Sequence, residues 1–458
     1  MSDDTISAVA TAAGEGGIGI IRISGAAAIG IAGQLFSGVN GRTAAELKPF
    51  QAAYGRIADP VSGDVIDEAL LLVMKAPHSY TREDVVEIHC HGGGVALRRI
   101  LDLTFRLGSR PAEPGEFTKR AFLNGRLDLS QAEAVIDVIR AKSDASLRVA
   151  VSHLGGAMAA EVGSMRQHLL ELIAHLEATI DFPEEDIDEP AMAAVVDGIV
   201  SLAVQTDRLL STADTGRILR DGLSTVIIGK PNVGKSSLLN ALVREERAIV
   251  TAIPGTTRDM IEEYVTVRGI PLRLIDTAGI RPTEDLVERI GVERARAVTG
   301  QADLLILMLD RSQPLSAEDR EVLRLLTGRT AIILLNKSDL PPQWDAAVIG
   351  PLAAGHSLLE VSVLNREGLD RLEDEIVRLV YSGQAVSEGA FVTSVRHLNC
   401  LREVQRHLQS AQEAAAVMPA DCVVIDLRSA WEALGKISGD TVGEDIIDEI
   451  FSRFCIGK

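Results

Sequence analysis

A glycine-rich stretch in the second half of the chain carries the residue types that bind phosphate. It reads Gly229-Lys-Pro-Asn-Val-Gly234-Lys235-Ser236 and directly follows an apolar strand pattern. Glycines let backbone N–H groups turn inward around phosphates, Lys235 adds a cation, and the Ser236 hydroxyl is a ligand for Mg²⁺. A helix is predicted to begin at Lys235. The strand, loop and helix together predict a nucleotide-binding phosphate loop rather than an ornamental glycine turn.

A second motif contains residue types that distinguish one nucleotide base from another. Asn336-Lys337-Ser338-Asp339 ends another strand pattern further along the chain. The Asp339 carboxylate can accept hydrogen bonds from both the ring N–H and the exocyclic amine of guanine, whereas adenine lacks this pair of donors. An adenine nucleotide would leave the carboxylate partly unpaired, at a cost of about 1–3 kcal/mol. The motif therefore predicts a guanine site.

A third motif, Asp276-Thr277-Ala278-Gly279, lies between these two and also ends a strand pattern. Asp276 is placed to bind Mg²⁺ through water, and the Gly279 N–H to face the last phosphate. The three motifs in this order resemble those of a Ras-like GTPase, so GTP and Mg²⁺ are the expected ligands. The residues expected at the GTP site, including a base-side loop at 362–364, are Asn232, Val233, Gly234, Lys235, Ser236, Ser237, Thr251, Ala252, Ile253, Pro254, Gly255, Thr256, Thr257, Asp276, Thr277, Ala278, Gly279, Asn336, Lys337, Ser338, Asp339, Ser362, Val363 and Leu364.

The glutamine that orients the attacking water in Ras-like switches is missing. Ile280-Arg281-Pro282 follows the third motif instead. Another residue must therefore orient the water, or the chain is nearly inert as a hydrolase. Glu288 is the candidate carboxylate, and Arg281 is a candidate for holding or guiding the loop. The alternative for Glu288 is one solvated acid among several in residues 284–293.

Asn232 and the segment from Thr251 to Thr257 indicate a second cation. Thr257 is placed to complete the Mg²⁺ coordination begun by Ser236. Carbonyl oxygens of residues 251–256 and the Asn232 amide make a hard oxygen site, in which a monovalent cation would supply the charge that an arginine finger gives elsewhere. A plain flexible switch loop is the alternative.

The elements that position these motifs follow from the apolar pattern. Between residues 220 and 381, short apolar strand patterns alternate with helix-length segments, which predicts a mostly parallel sheet with helices on both faces. Residues 119–219 and 382–458 have a long-helix pattern, and residues 1–118 have strand patterns broken by glycine. We expect an α/β and α+β multidomain protein: an N-terminal α+β domain, and a Ras-like α/β GTPase domain inserted into a helical domain.

Composition narrows the class of protein. The 458 residues carry 46 Lys plus Arg against 65 Asp plus Glu, a formal charge of −19, and aromatic residues make up only 3%. This balance argues against a broad cationic surface for nucleic acid, so any such contact must come from a local patch. The four cysteines lack a C-x-x-C spacing, and neither a signal peptide nor a membrane-length apolar run is present. A soluble cytoplasmic protein is expected.

The whole chain, and not only its nucleotide motifs, resembles the bacterial tRNA modification GTPases called MnmE or TrmE. The N-terminal block and the terminal Cys-Ile-Gly-Lys are the most specific marks. The stretches that carry the resemblance are Asp4 to Thr11, Gly16 to Gly25, Glu83-Asp84, His91 to Gly94, Pro114 to Asp128, Gly255 to Asp259 and Phe454 to Lys458.

The resemblance implies a homodimer with a site for a one-carbon folate, 5,10-methylene- or 5-formyl-tetrahydrofolate. The matching positions for that site are Arg22, Glu83, Arg126 and Lys458, and the family usually has Lys where Arg126 stands. The resemblance also implies Glu288 as the water-orienting residue. For K⁺ it implies the ligands Asn232, Thr251, Ile253 and Thr256.

The resemblance further implies a partner, the FAD-binding protein MnmG (GidA), in a heterotetramer or larger complex. Together they would add a carboxymethylaminomethyl-type group to carbon five of the wobble uridine of certain tRNAs. The rival hypothesis is a ribosome-assembly GTPase, which shares the switch motifs and the missing glutamine but leaves the N-terminal block and Cys-Ile-Gly-Lys without a role. A nucleotide-dependent structural protein is disfavoured by the intact base motif.

Three smaller features have competing interpretations. Cys455 is either a catalytic thiolate, activated by Lys458 and Arg453, or a buried structural thiol; a prenylation box fits it poorly. His89-Cys90-His91 reads as a strand end rather than a metal site, because alternate residues of a strand point to opposite faces. Arg402 and Arg406 lie four apart on a predicted helix. They form either a solvated helix face or a contact for tRNA phosphates.

Overall fold

The structure is a computed structural model, and the chain divides into two compact units. The first unit comprises residues 1–136, 162–166 and 431–458, and the second comprises 137–161 and 167–430. Among the residues that the structure describes, no helix combines the length and apolar character needed to cross a bilayer. The described ranges are 4–39, 41–181, 189–245, 263–275, 300, 302–381 and 390–458.

Helices occur along the whole described chain, and most of them lie where the sequence has its long-helix patterns. They are α1 (Ala28–Leu35), α2 (Gly94–Arg106), α3 (Glu116–Leu123), α4 (Leu129–Arg140), α5 (Asp144–Leu154), α6 (Ala157–Asp181), α7 (Glu189–Ser211), α8 (Ala213–Asp221), α9 (Lys235–Glu245), α10 (Ala317–Arg324), α11 (Gly350–Ala353), α12 (Leu369–Tyr381), α13 (Val395–Val417), α14 (Ala420–Ser438) and α15 (Glu444–Ser452).

The first unit is built on a seven-stranded sheet with the spatial order β3-β4-β5-β6-β2-β1-β7. Neighbouring strands are antiparallel, except that β1 and β7 are parallel. The strands are β1 (Ile6–Val9), β2 (Gly16–Ser24), β3 (Phe36–Gly38), β4 (Gln51–Ala58), β5 (Val65–Met74), β6 (Val85–Gly92) and β7 (Arg110–Pro111).

Alternation along β2 separates a face that packs in the core from the opposite face of the sheet. Ile21 and Ile23 are fully buried in the core beneath α1 and α2. Arg22 lies between them and therefore points to the opposite face, where it is in register with Glu87 of β6. The period of two thus sets the Arg22 side chain on the face away from the core.

The C-terminal segment belongs to the core of the first unit. Phe451 of α15 and Phe454 pack with Leu129 of α4, and the rings of Phe451 and Phe454 lie 5.2 Å apart. Burying two aromatic side chains fixes this segment against the N-terminal part of the chain, since each large side chain contributes roughly 1.5–3 kcal/mol on burial.

The second unit contains a six-stranded sheet with the order β13-β12-β11-β8-β10-β9. All neighbours are parallel except β9, which is antiparallel to β10. Every residue of β8 and of β12 is buried, as expected for parallel strands covered on both faces. The strands are β8 (Leu223–Ile228), β9 (Glu263–Val267), β10 (Ile270–Leu274), β11 (Leu304–Asp310), β12 (Ala331–Asn336) and β13 (Ser357–Glu360).

Long helices form the rest of the second unit. α13 packs against α7, and α13 buries Leu401, Val404 and Leu408 at spacings of three and four residues. α6 ends at Asp181 and α7 begins at Glu189.

The predicted fold class is confirmed: an α+β N-terminal part, long helices, and a Ras-like α/β module between helical segments. Within residues 220–381, where alternating strands and helices were predicted, the apolar runs 304–310 and 331–336 form β11 and β12, and α9 begins at Lys235 as predicted. The strand patterns predicted within residues 1–118 lie at 5–11, 18–24, 68–75 and 84–90. They miss β3 and β4, because Gln51–Ala58 alternates small and polar residues with few large apolar ones. The domain boundaries at residues 118, 219 and 381 stay a prediction.

Candidate functional site

The phosphate loop connects β8 to α9, and its glycines sit where a side chain has no room. Gly229 has φ 145°, and a Cβ there would lie 2.5 Å from the Met308 carbonyl oxygen. Gly234 has φ 107°, and its Cβ would lie 2.4 Å from Nδ2 of Asn336. Asn232 also adopts a left-handed φ of 63°. The loop backbone is therefore bent into the form that exposes its N–H groups, as a phosphate cradle requires.

Lys235 closes this loop from its helix end. Its Nζ donates hydrogen bonds to the carbonyl oxygens of Gly229 at 2.7 Å and of Lys230 at 2.6 Å. The ammonium group therefore lies over the mouth of the loop, where the outer phosphates of a nucleotide would bind. Ser236 follows it in the first turn of α9, at the position predicted for a Mg²⁺ ligand.

Asn336 ties the phosphate loop to the base motif. Its Nδ2 donates to the Val233 carbonyl oxygen at 2.7 Å, and its Oδ1 accepts from the Val363 N–H at 3.1 Å. Asn336 is buried, so both bonds are shielded from water. The structure thus gives Asn336 and Val363 a positioning role within the predicted GTP site.

Asp339 is held in place by the loop that follows β13. The buried Ser362 hydroxyl donates to Asp339 Oδ1 at 2.6 Å, and the Ser338 N–H donates to the Val361 carbonyl at 3.1 Å. Leu364 is 84% exposed. The predicted residues 336–339 and 362–364 are therefore brought to one edge of the sheet, with the carboxylate of Asp339 oriented by a neutral donor.

Two carboxylates beside this site were not singled out in the sequence. Asp310, at the end of β11, pairs with Lys337 at 2.5 Å, and Asp319, on α10, pairs with Lys230 at 2.6 Å. Burial acts to raise the pKa of Asp310, but hydrogen bonds from Lys337 and Ser312 outweigh it and lower that pKa. For Asp310, the signal in the sequence was its position at the end of an apolar strand pattern, because the carboxyl ends of neighbouring parallel strands meet at one edge of a sheet.

Several predicted residues lie outside the described ranges. They include the water-orienting Glu288, the loop residue Arg281 and the Mg²⁺ ligand Thr257. Their assignments, and the K⁺ ligand set, stay predictions. The remaining predicted residues outside the described ranges are Thr251, Ala252, Ile253, Pro254, Gly255, Thr256, Asp276, Thr277, Ala278 and Gly279.

A second group of predicted residues meets in the first unit. Arg22 donates through Nε to Glu87 at 2.9 Å and through a terminal nitrogen to the Gly457 carbonyl at 3.0 Å. The chain terminus, Lys458, is thereby held beside β2. Arg22 also lies 5.4 Å from the Tyr80 ring centroid, and Arg126 lies 4.6 Å from the same ring.

Glu83 is fixed by a partly buried hydrogen-bond network. It accepts from the Ser24 hydroxyl at 2.7 Å and from Arg120 at 3.1 and 3.2 Å. Arg120 itself is buried and also binds Asp4 and Glu116. Burial acts to lower the pKa of Arg120, but these carboxylates outweigh it and raise the pKa, so the guanidinium stays charged. Sequence reasoning missed Arg120, although it lies within the quoted 114–128 stretch.

The smaller candidates resolve as follows. Cys455 is exposed, so the interpretation as a buried structural thiol is wrong, and a catalytic role stays a prediction.

His89 and His91 pair with Glu87 and Asp67, and Cys90 is buried with its thiol donating to the Gly19 carbonyl. Within the described ranges, no group of three or more His, Cys, Asp or Glu side chains is arranged to hold a metal ion.

Arg402 and Arg406 lie exposed on α13. That position suits a solvated helix face, which is one of the two interpretations of this pair. A contact for tRNA phosphates would need the same exposure. The tRNA contact therefore stays a prediction.

These features define a class. A phosphate loop after β8, a base motif after β12 and a mostly parallel sheet between them are those of a guanine-nucleotide-binding P-loop protein. Two family models match the chain: the GTP-binding protein TrmE N-terminus over residues 5–126, and the MnmE helical domain over residues 129–455. The chain belongs to the MnmE family.

Curated relatives are similar in sequence to this chain over nearly their whole length. A protein of Alkaliphilus oremlandii named tRNA modification GTPase MnmE is 50% identical, over 100% of this chain and 99% of its own. One of the same name from Bacillus subtilis is 50% identical, over 99% and 100%. Among solved structures, the G domain of the T. maritima FeoB iron transporter is 27% identical over 34% of this chain and 97% of its own, with a TM-score of 0.26.

Proposed function

We propose that this chain is a cytoplasmic GTP-hydrolysing enzyme of tRNA modification. It acts as a homodimer with the FAD-binding partner MnmG (GidA), in a heterotetramer or larger complex. Together they add a carboxymethylaminomethyl-type group to carbon five of the wobble uridine of certain tRNAs, with 5,10-methylene- or 5-formyl-tetrahydrofolate as the one-carbon source. Full-length 50% identity to proteins named tRNA modification GTPase is the observation that carries the proposal.

The nucleotide half of the proposal draws support from the geometry of the second unit. Asp339, oriented by Ser362, selects guanine by accepting from two donors of the base. Lys235 neutralises charge on the outer phosphates, and the bent loop of residues 229–236 directs N–H groups toward them. Ser236 and Thr257 would hold Mg²⁺, which supplies charge neutralisation when bound.

Because the usual glutamine is missing, other residues of this chain orient the attacking water and support hydrolysis. Glu288 orients the attacking water, and Arg281 holds the loop around it. Asn232, Thr251, Ile253 and Thr256 would hold K⁺, which would supply positive charge near the phosphates when bound. The left-handed backbone of Asn232 supports this assignment, because it sets that side chain on the bend of the phosphate loop.

The folate half of the proposal draws support from the first unit. Arg22 and Arg126 lie against one aromatic ring, that of Tyr80, and Gly457 brings Lys458 beside Arg22. Cations suit the glutamate carboxylates of a folate, and Glu83, held by Arg120, is an acceptor for N–H groups of its pteridine ring. Cys455, exposed two residues before Gly457, is the candidate thiol for the chemistry.

The rival, a ribosome-assembly switch, uses only the nucleotide half. It gives no role to the cluster around Tyr80, which is formed by Arg22 and Arg126 against the Tyr80 ring, or to the terminal Cys-Ile-Gly-Lys. The match of residues 5–126 to the TrmE N-terminus favours the modification enzyme over this rival.

Mass spectrometry of wobble nucleosides tests the proposal. A strain lacking this protein should lose the carboxymethylaminomethyl-type uridines, and expression of the parent chain should restore them. The variant Asp339→Asn should not restore them at the same expression level. Unchanged wobble uridines in the deletion strain, together with defective ribosomal subunits, would support the rival instead.

A further inference from the structure

A cavity of about 560 Å³ lies beside the cluster around Tyr80 in the first unit. This is the size range of cavities that hold small organic ligands. Arg126 and Tyr80 belong to its wall, so the cavity adjoins the proposed folate site. The lining residues are Phe50, Met74, Pro77, His78, Ser79, Tyr80, Arg82 and Arg126.

The charges around this cavity are all of one sign. Arg82 donates to the Asn124 carbonyl at 2.8 Å, and Arg126 donates to the Tyr80 carbonyl at 2.8 Å. Neither guanidinium forms an ion pair with any residue in the described part of the chain, and no carboxylate lines the cavity. Two uncompensated guanidinium groups around one cavity attract an anion, and their planar donors suit carboxylates.

The backbone of the cavity is held in an uncommon conformation. Phe50 has φ 60° and Arg82 has φ 61°, and both residues line the cavity. Left-handed backbone at non-glycine residues concentrates at binding sites, where it aims side chains. In the same chain, Asn232 and Lys337 show it at the nucleotide site, and Arg268 and Arg366 show it in other loops.

We propose that this cavity binds the γ-linked polyglutamate tail of the folate, with Arg82 and Arg126 pairing with tail carboxylates. This inference rests on the proposed folate site. Each γ-linked glutamate adds one carboxylate and two methylene groups to the ligand. The carboxylates match the two arginines, and the methylene groups match the apolar wall of Phe50, Met74 and Pro77.

The phosphate backbone of an RNA is the alternative polyanionic ligand for this cavity. It offers no apolar surface to Phe50, Met74 and Pro77, and the cavity presents only two arginines to it. Nucleic-acid sites gain affinity by neutralising many phosphates over an extended surface. The shape and the mixed lining of this cavity therefore favour the small ligand.

Calorimetry with the full-length protein tests the proposal. The titrants are 5-formyl-tetrahydrofolate with one glutamate and with three glutamates. The parent should bind the triglutamate at least about threefold more tightly, as one or two partly exposed ion pairs provide. That ratio should shrink as salt is raised. In Arg82→Gln the ratio should fall clearly below that of the parent, because one of the two guanidinium groups is lost.

Two further variants make the result specific. Arg82→Lys keeps the positive charge and should retain most of the preference for the triglutamate. Arg98→Gln removes an exposed arginine of α2 that does not line the cavity, and it should keep the parent ratio. Circular dichroism melts of all variants show whether each one is folded.

The outcomes separate this inference from the proposed function. Equal affinity of the parent for both ligands, or an unchanged ratio in Arg82→Gln, would overturn the tail site and leave the folate site standing. Absence of binding of either ligand to the parent would overturn both. Weaker tRNA binding by Arg82→Gln with an unchanged ratio would assign the cavity to RNA and overturn the inference.

Discussion

The side-chain amide of Asn336 donates a hydrogen bond to the main-chain carbonyl of Val233, at 2.7 Å, in the interior of the second unit. Val233 belongs to the phosphate loop, and Asn336 begins the base motif. The same Asn336 side chain accepts from the Val363 N–H. One amide therefore fixes the three loops of the nucleotide site relative to each other before any nucleotide contact is made.

Replacing Asn336 by alanine should loosen this site. The change leaves the buried Val233 carbonyl and Val363 N–H without partners, at a cost of about 1–3 kcal/mol. We expect GTP affinity to fall by about tenfold or more, since tenfold corresponds to 1.4 kcal/mol. Calorimetric titration with GTP measures it. The control is Asn365→Ala, at an exposed position beyond the same loop, and equal affinity in the two variants would contradict the assignment.

Asp339 should set the choice of base. Asp339→Asn replaces an acceptor by a donor opposite the guanine amine, and GTP binding should weaken by at least about tenfold. Xanthosine triphosphate has a carbonyl in place of that amine, so the variant should bind it better than the parent does. Calorimetry with both nucleotides checks the exchange. Equal GTP affinity in parent and variant would remove Asp339 from the base site.

The sequence predicts the second unit well because its signals are local. β11 and β12 are continuous apolar runs ended by polar residues, and the phosphate loop fixes the start of α9. The Asn336 bond to Val233 joins residues far apart in sequence, and no local pattern encodes it. The motif alone therefore predicted Asn336 as a nucleotide residue and missed its positioning role.

Less of the first unit could be predicted from the sequence. The resemblance placed Arg22 and Lys458 at one site, but nothing in composition or periodicity pairs β2 with the chain terminus. Their link depends on Phe451 and Phe454 packing against Leu129, which seats the terminal residues. Arg120 and Arg82 were missed for the same reason, since their roles arise only when residues 80–83 and 120–126 meet.

Potassium should accelerate hydrolysis. A K⁺ ion bound by Asn232 and by carbonyls of residues 251–256 would balance charge that develops on the phosphates, and Na⁺ is too small for such a cage. An arginine finger is worth about 10³-fold or more in rate, so part of that effect is measurable. GTP turnover is compared in K⁺ and Na⁺ at constant ionic strength. Identical rates would defeat the assignment.

Glu288 should act on turnover and not on affinity. A residue that only orients water stabilises the transition state, so Glu288→Ala should abolish hydrolysis while GTP binds as in the parent. Neighbouring Glu284→Ala, a carboxylate with no assigned role, is the matched control and should keep the parent rate. Hydrolysis by Glu288→Ala at the parent rate would return Glu288 to the solvated acids.

Alkaline pH should weaken the first unit through Cys90. Burial, aided by the charge of Asp67, raises the pKa of the Cys90 thiol from 9.0 to about 11. The folded state therefore favours the neutral thiol, and this contribution is complete below pH 9 and is lost as the pH rises to 11. Urea unfolding of the parent and of Cys90→Ala measures it. The stability advantage of the parent should shrink between pH 8 and 10.5, and a constant difference would contradict the prediction.

Gly457 should control the folate site from the end of the chain. It has φ 91°, and a Cβ there would lie 2.3 Å from the Val9 carbonyl oxygen. Gly457→Ala must therefore shift the terminus, break the bond from Arg22 and displace Lys458, and we expect at least about a tenfold loss of 5-formyl-tetrahydrofolate affinity. GTP affinity should be unchanged, because the nucleotide site lies in the second unit. Gly443→Ala, where a Cβ meets nothing within 4 Å, is the control. If Gly457→Ala binds the folate as tightly as this control does, the seated terminus has no part in the site.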